Sequence, residues 1–83
     1  MKVTLKLFAT LGKYLPAGAL ANEIDVEIGE TTTPNELIDR FNVPRDMVHL
    51  VLLNGVYVDV EQRDQMTMSA GDALAIWPPI AGG

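Results

Sequence analysis

The chain ends Trp77-Pro78-Pro79-Ile80-Ala81-Gly82-Gly83, and the group in it best suited to covalent chemistry is the Gly83 carboxylate. Glycine has no β-carbon, so Gly82 and Gly83 can lie in a narrow channel and bring main chain close to a bound nucleotide without a side-chain clash. Fully extended, Ile80 to Gly83 reaches roughly 13 Å. That is enough to enter an active site while a folded body docks outside it. Pro78 and Pro79 stiffen the base of this arm and lower the entropy lost on ordering it. They also stop a preceding strand by removing two amide donors. A free carboxylate repels nucleophiles and would have to expel oxide, so acyl chemistry at Gly83 requires prior activation.

Few other residues could do chemistry. There is no cysteine, which removes thiol nucleophiles, zinc-thiolate sites and disulfides together. His49 is the single histidine, and without a second His or a Cys it anchors no metal site. Asp59, Glu61 and Asp64 form a loose acidic group of the kind that is usually solvated, and calcium is not expected there. The methionines at 1, 47, 66 and 68 share no helical spacing. No nucleophile and base stand together, so an independent enzyme is not expected, and neither a bound cofactor nor a metal.

What must position the terminus is a body of modest size. Eighty-three residues, 48% hydrophobic, suit one small domain with one core. Lack of cysteine points to an intracellular, cytoplasmic protein. The opening Met1-Lys2-Val3-Thr4-Leu5-Lys6 carries no signal-peptide pattern, and no apolar run approaches a membrane span. A net charge of −5 with only six Lys and Arg argues against nucleic acid. The charge is lopsided. Residues 1–22 hold Lys2, Lys6 and Lys13 and no acid, whereas the remainder sets three arginines against eleven acids. A basic protein groove is the partner this favours, through faster association that fades with salt.

Val3, Leu5 and Leu7 alternate with Lys2, Thr4, Lys6 and Phe8, which predicts a strand with one buried face. The Gly and Pro of Leu11 to Gly18 predict a short turn or helical turn, before Ile24, Val26 and Ile28 alternate with Glu23, Asp25 and Glu27 in a second strand. Thr33-Pro34-Asn35-Glu36 reads as a capping box with proline at the first helical position. The helix that follows carries Leu37, Ile38 and Phe41, spans about two turns and is limited by Val43-Pro44. A short turn at Pro44 to Met47 leads to a third strand, His49 to Leu53. Asn54-Gly55 then predicts a hairpin with Val56 to Val58 as the return strand. Asp59 to Met68 reads as polar and irregular. Ser69 to Asp72 is a turn into a last strand, Ala73 to Trp77. The order predicts an α+β fold in which one helix covers one face of the sheet.

Four stretches, Lys6-Leu7-Phe8-Ala9-Thr10-Leu11, Leu53-Asn54-Gly55, Ala70-Gly71-Asp72 and Trp77 to Gly83, together resemble the MoaD/ThiS family of ubiquitin-like sulfur carriers over nearly the whole chain. The resemblance implies a β-grasp fold: a mixed sheet of four to five strands with one main helix packed on one face. Residues 1–77 would form that domain and residues 78–83 an extended tail. In length and in its Pro-Pro-Ile-Ala-Gly-Gly end the chain is most similar to MoaD, the small subunit of molybdopterin synthase. ThiS-like carriers of the thiamin thiazole pathway and other thiolation carriers share features with it.

The resemblance further implies that a ubiquitin-activating-type enzyme consumes ATP to adenylate Gly83. A sulfurtransferase or persulfide donor then leaves a thiocarboxylate there, which a larger synthase subunit uses. A ubiquitin-like modifier of lysines and a plain adaptor are the competing classes. By period 2, Phe8, Ala73, Ala75 and Trp77 fall on the uncovered face. Leu50 to Leu53 carries more apolar residues than one buried face requires. Phe8, Leu52 and Trp77 are therefore the expected partner contacts, with Pro78, Pro79, Ile80, Ala81 and Gly82 presenting Gly83.

Overall fold

The two ends of the chain meet in the middle of one sheet. In the computed structural model, which describes residues 1–79, β1 (Lys2–Leu7) lies parallel to β5 (Ala73–Trp77). β2 (Glu23–Glu27) flanks β1 antiparallel and β3 (Leu50–Leu53) flanks β5 antiparallel. β4 (Val56–Tyr57) pairs outside β3, so the five-stranded order is β2-β1-β5-β3-β4. Residues 80–83, where Ile80, Ala81, Gly82 and the Gly83 carboxylate were expected to form the tail, lie outside the described residues.

Alternation drives this arrangement. Val3, Leu5, Leu7, Val51, Leu74 and Ile76 all turn to one face and are at most 1% exposed. Against them packs α1 (Pro34–Arg40), with Leu37 and Ile38 fully buried. Each fully buried aliphatic side chain removed from water contributes about 1.5–3 kcal/mol. That is the gain holding together strands separated by most of the chain.

Helix α1 starts as its sequence predicts. The Thr33 amide donates to Glu36 Oε1 at 2.9 Å, and the Glu36 amide donates back to Thr33 Oγ1 at 3.2 Å. Its end differs from the expected stop at Val43-Pro44. The helix closes at Arg40 in a Schellman motif, with Asn42 left-handed at φ 60. The Asn42 amide donates to Asp39 O at 2.9 Å and the Val43 amide to Ile38 O at 3.2 Å.

The hairpin between β3 and β4 carries positive φ at Asn54 (52) and Gly55 (83), as a type I′ turn needs. The Asn54 side chain also ties this turn to the one before β5, donating to Asp72 Oδ1 at 2.9 Å and accepting from the Ala73 amide at 2.9 Å.

Four expectations change. The return strand stops at Tyr57, because Val58, though its amide still donates to Val51 O at 2.9 Å, turns its side chain into the core. The third strand begins at Leu50, not His49. The turn after β1 starts earlier, as a 3-10 helix over Ala9–Tyr14 that buries Leu11. Asp59 to Met68 is not irregular: Val60–Asp64 is a 3-10 helix. This segment packs beside α1 and buries Arg63, with Met68 also in the core. Its five residues span fewer than two turns of a 3-10 helix, too few for a period to emerge.

Candidate functional site

The sheet face opposite α1 has no helix over it among the described residues, and its surface divides in two. On the β2 and β1 side the register aligns Glu23 with Lys6, Asp25 with Thr4 and Glu27 with Lys2, and the Thr4 hydroxyl donates to Asp25 Oδ1 at 2.9 Å. That half is polar. On the β5, β3 and β4 side the same face carries Ala73, Ala75 and Trp77, then Leu50 and Leu52, then Tyr57, with Leu50 opposite Trp77 and Leu52 between Ala75 and Tyr57. That half is apolar.

The free edge at β2 is blocked at both ends. The Glu23 amide and carbonyl pair with Leu20 at 3.0 and 3.1 Å, and Arg40 Nη1 donates to the Glu27 carbonyl at 2.6 Å. This leaves little unpaired main chain to template another strand.

Phe8 and Trp77 come together at the end of this face. Their ring centroids lie 4.4 Å apart with planes 7° from parallel, and the Phe8 amide donates to Ile76 O at 3.1 Å. Both remain half-buried, as does Leu52. The three residues expected to meet a partner thus share one face, with Leu52 a step along the sheet from the stacked pair. Pro78 and Pro79 continue from β5 beside them.

At this root of the tail lies an apolar groove of about 440 Å³, lined by Ala9, Thr10, His49, Leu50, Trp77, Pro78 and Pro79. Its polar side chains are the Thr10 hydroxyl and the His49 imidazole. The His49 amide donates to Trp77 O at 3.0 Å, which seats His49 at the wall although its side chain is exposed.

Sequence reading did not single out Ala9, Thr10 or His49 as groove residues. Ala9 holds a left-handed φ of 52, a conformation an alanine does not announce. The three wall segments meet only through strand pairing.

The acidic group of 59, 61 and 64 has a structural use in part: Asp64 Oδ1 accepts from Asn35 Nδ2 at 2.8 Å, joining the 3-10 helix to α1. Among the described residues no three His, Asp or Glu side chains converge as a metal site would require. No described helix is long and apolar enough to cross a membrane.

A mixed five-stranded sheet with parallel terminal strands and one helix across a single face defines a β-grasp, ubiquitin-like protein. The family model described as Mut7-C ubiquitin matches residues 1–81, and the chain belongs to that family. No curated protein matches it in sequence.

Among solved structures it is similar to SAMP1 from Haloferax volcanii, at 24% identity and a TM-score of 0.71 over 100% of both chains. It is also similar to the thiamine biosynthesis protein ThiS from Geobacter metallireducens, at 24% identity and a TM-score of 0.66 over 100% of both chains. A third similar chain comes from the complex of subunits 1 and 2 of molybdopterin-converting factor from Helicobacter pylori, at 18% identity and a TM-score of 0.60 over 100% of both chains. At these identities what is shared is the fold, and the MoaD/ThiS resemblance read from the sequence meets structural neighbours of that kind.

Proposed function

We propose that this protein is a sulfur carrier whose Gly83 carboxylate is the reacting group and whose domain serves as a handle for other enzymes. The observation that carries the reading is the passage of β5 from Trp77, on the apolar half of the open face, into Pro78-Pro79 and the Gly82-Gly83 end of the sequence. Docking surface and reactive end are then neighbours along the sequence.

The chemistry divides a hard substitution into easier ones. On a ubiquitin-activating-type enzyme, a Gly83 carboxylate oxygen attacks the α-phosphorus of ATP and pyrophosphate leaves, giving an acyl adenylate. Sulfide displaces AMP and yields the thiocarboxylate directly. A persulfide donor on a sulfurtransferase displaces AMP to give an acyl disulfide, and a second thiol releases the thiocarboxylate by disulfide exchange. The chain contributes no acid, base, metal or cofactor to these steps, and having no cysteine it offers no internal thiol to attack its own activated end. A cytoplasmic setting, with ATP and thiols at hand, fits this role.

The thiocarboxylate then passes its sulfur to an acceptor bound by a larger synthase subunit. Molybdopterin biosynthesis is the pathway we favour, since the Helicobacter pylori neighbour comes from a complex of two converting-factor subunits and the ending is MoaD-like. Supply of sulfur for the thiamin thiazole is the alternative that the ThiS neighbour supports.

Intact mass spectrometry after incubation with ATP, a ubiquitin-activating-type enzyme and sulfide tests the reading. An oxygen-to-sulfur increment lost on deletion of Gly83 supports the carrier. Higher-mass conjugates to lysine would make it a modifier of proteins instead, and an unchanged mass would leave an adaptor.

A further inference from the structure

We infer that the groove at the tail root is a socket for an uncharged apolar segment of the enzyme that receives Gly83, with an aliphatic or aromatic side chain as its anchor. This rests on the proposed function and names the contact by which that enzyme holds the domain.

Position comes first. In the proposed function Gly83 supplies the reacting carboxylate, and the four residues from Ile80 to it reach, fully extended, roughly 13 Å. Any protein that brings the Gly83 carboxylate to a nucleotide therefore has its own surface over the tail root. Pro78 and Pro79 are themselves groove wall, so the mouth of the tail channel and the mouth of the groove are one neighbourhood. A partner reading the tail must cover the groove, fill it or leave it empty against its own surface. An empty apolar space forfeits the contacts that a filled one gains.

Chemistry of the lining selects the occupant. Ala9, Leu50, Trp77, Pro78 and Pro79 offer carbon, and among the described wall residues there is no carboxylate, lysine or arginine. A cationic side chain would find no counter-ion among the described wall residues, an anion would find only the exposed His49 imidazole at the rim, and either would lose hydration. An apolar side chain loses only water. The volume of about 440 Å³ is several times the space a single ring fills, so it takes an anchor residue together with apolar neighbours on the same segment. Anchors seated in desolvated pockets carry most of the energy of a protein interface.

The walls are held from three sides. The Phe8 amide donates to Ile76 O at 3.1 Å and the His49 amide to Trp77 O at 3.0 Å. The stacked Phe8 ring supports Trp77. The groove is thus formed before a partner arrives, which spares part of the ordering cost of binding.

The test fills the groove from opposite rims with Thr10→Phe and, separately, His49→Trp. Leu20→Phe serves as control, since Leu20 is 80% exposed and is not part of the groove. Thermal melts identify any variant that does not fold, and the other rim then decides. Adenylation is followed by ATP–pyrophosphate exchange with the activating enzyme used in the mass assay. We expect at least about a tenfold rise in KM for each groove-filling chain with kcat held, as loss of a hot-spot contact implies, and no change for Leu20→Phe.

Wild-type-like KM in a folded filled variant overturns the socket while leaving the carrier reading intact. Equal rises in all three variants overturn it as well. No exchange with the wild-type chain overturns both readings.

Discussion

Phe8 and Trp77 stack with ring centroids 4.4 Å apart and planes 7° from parallel, one at the end of β1 and the other at the end of β5. The register that puts Leu7 beside Ile76 brings these aromatics into line on the open face. An aromatic pair adds about 0.5–1.5 kcal/mol beyond the area it buries. A double-mutant cycle of Phe8→Ala and Trp77→Ala in urea denaturation should show a coupling of that size. Additive losses would mean that the rings touch without cooperating.

Trp77→Ala should separate binding from stability. The side chain is half-buried, so truncating it costs less than the roughly 3–5 kcal/mol of a buried aromatic. At an interface the same loss reaches about 2 kcal/mol or more. We expect affinity for the activating enzyme or for a larger synthase subunit to fall further than folding stability in calorimetry of both. Equal losses would remove Trp77 from the docking surface.

The ends of α1 give a local test. Removing the Thr33 hydroxyl with Thr33→Ala should cost about 0.5–2 kcal/mol, because the Glu36 amide loses its acceptor. Asn42→Ala should cost about 1 kcal/mol through its left-handed backbone, and Asn42→Gly should match or exceed the wild type. Chemical denaturation reads all three. A neutral Asn42→Ala would show that the Schellman closure is not held in solution.

Local pattern carried the fold far, and its failures share one cause. Period-2 alternation placed Val3, Leu5, Leu7, Leu74 and Ile76 in the core, and the Thr33 to Glu36 box placed the start of α1, because each signal lies within a few residues of chain. The 3-10 helix at Val60–Asp64 was illegible because its burial of Arg63 depends on Val58 and α1, not on any period of its own. Phe8 and Trp77 could be assigned to the open face by parity alone, and Leu52 only through the apolar excess of Leu50 to Leu53. The groove could not, since Thr10, His49 and Pro79 become neighbours only when β1 and β3 both pair with β5. The role of Gly83 was read from residue type and position in the sequence, and it stands as the proposal above.

Asp39 and Arg45 set a small acid dependence. Arg45 Nε donates to Asp39 Oδ1 at 2.8 Å and Nη2 to Oδ2 at 2.7 Å, fastening α1 to the turn that follows it. This hydrogen bonding, ahead of the charge itself, lowers the Asp39 pKa from its ordinary value and raises that of Arg45. A lowered carboxylate pKa contributes stability that is present above the unfolded value and lost as pH falls through the folded one. Both side chains are about half exposed, so solvent screening keeps the pair within about 0.2–1 kcal/mol. Asp39→Asn should therefore be slightly less stable than wild type at neutral pH. In urea melts the difference should vanish once pH drops below the lowered carboxylate value. A gap that persists in acid would assign the effect to packing.

Arg63 is the buried charge whose replacement says most about the core. It is 4% exposed, its Nε donates to Val58 O at 3.0 Å, and its guanidinium lies 5.9 Å from the Tyr57 ring centroid. Among the described residues Nη2 has no hydrogen-bond partner. An unsatisfied buried donor costs about 1–3 kcal/mol, against which stand one hydrogen bond to a carbonyl and a ring contact worth about 0.5–2 kcal/mol. The two sides nearly cancel. Arg63→Met, which keeps the length of the stem and removes the charge, should lie within about 1 kcal/mol of wild type or above it. Arg63→Ala should cost about 2–5 kcal/mol through the cavity it opens beneath α1. Equilibrium denaturation of the two variants decides between stem and charge: if Arg63→Met loses as much as Arg63→Ala, the guanidinium itself holds the 3-10 helix to the sheet.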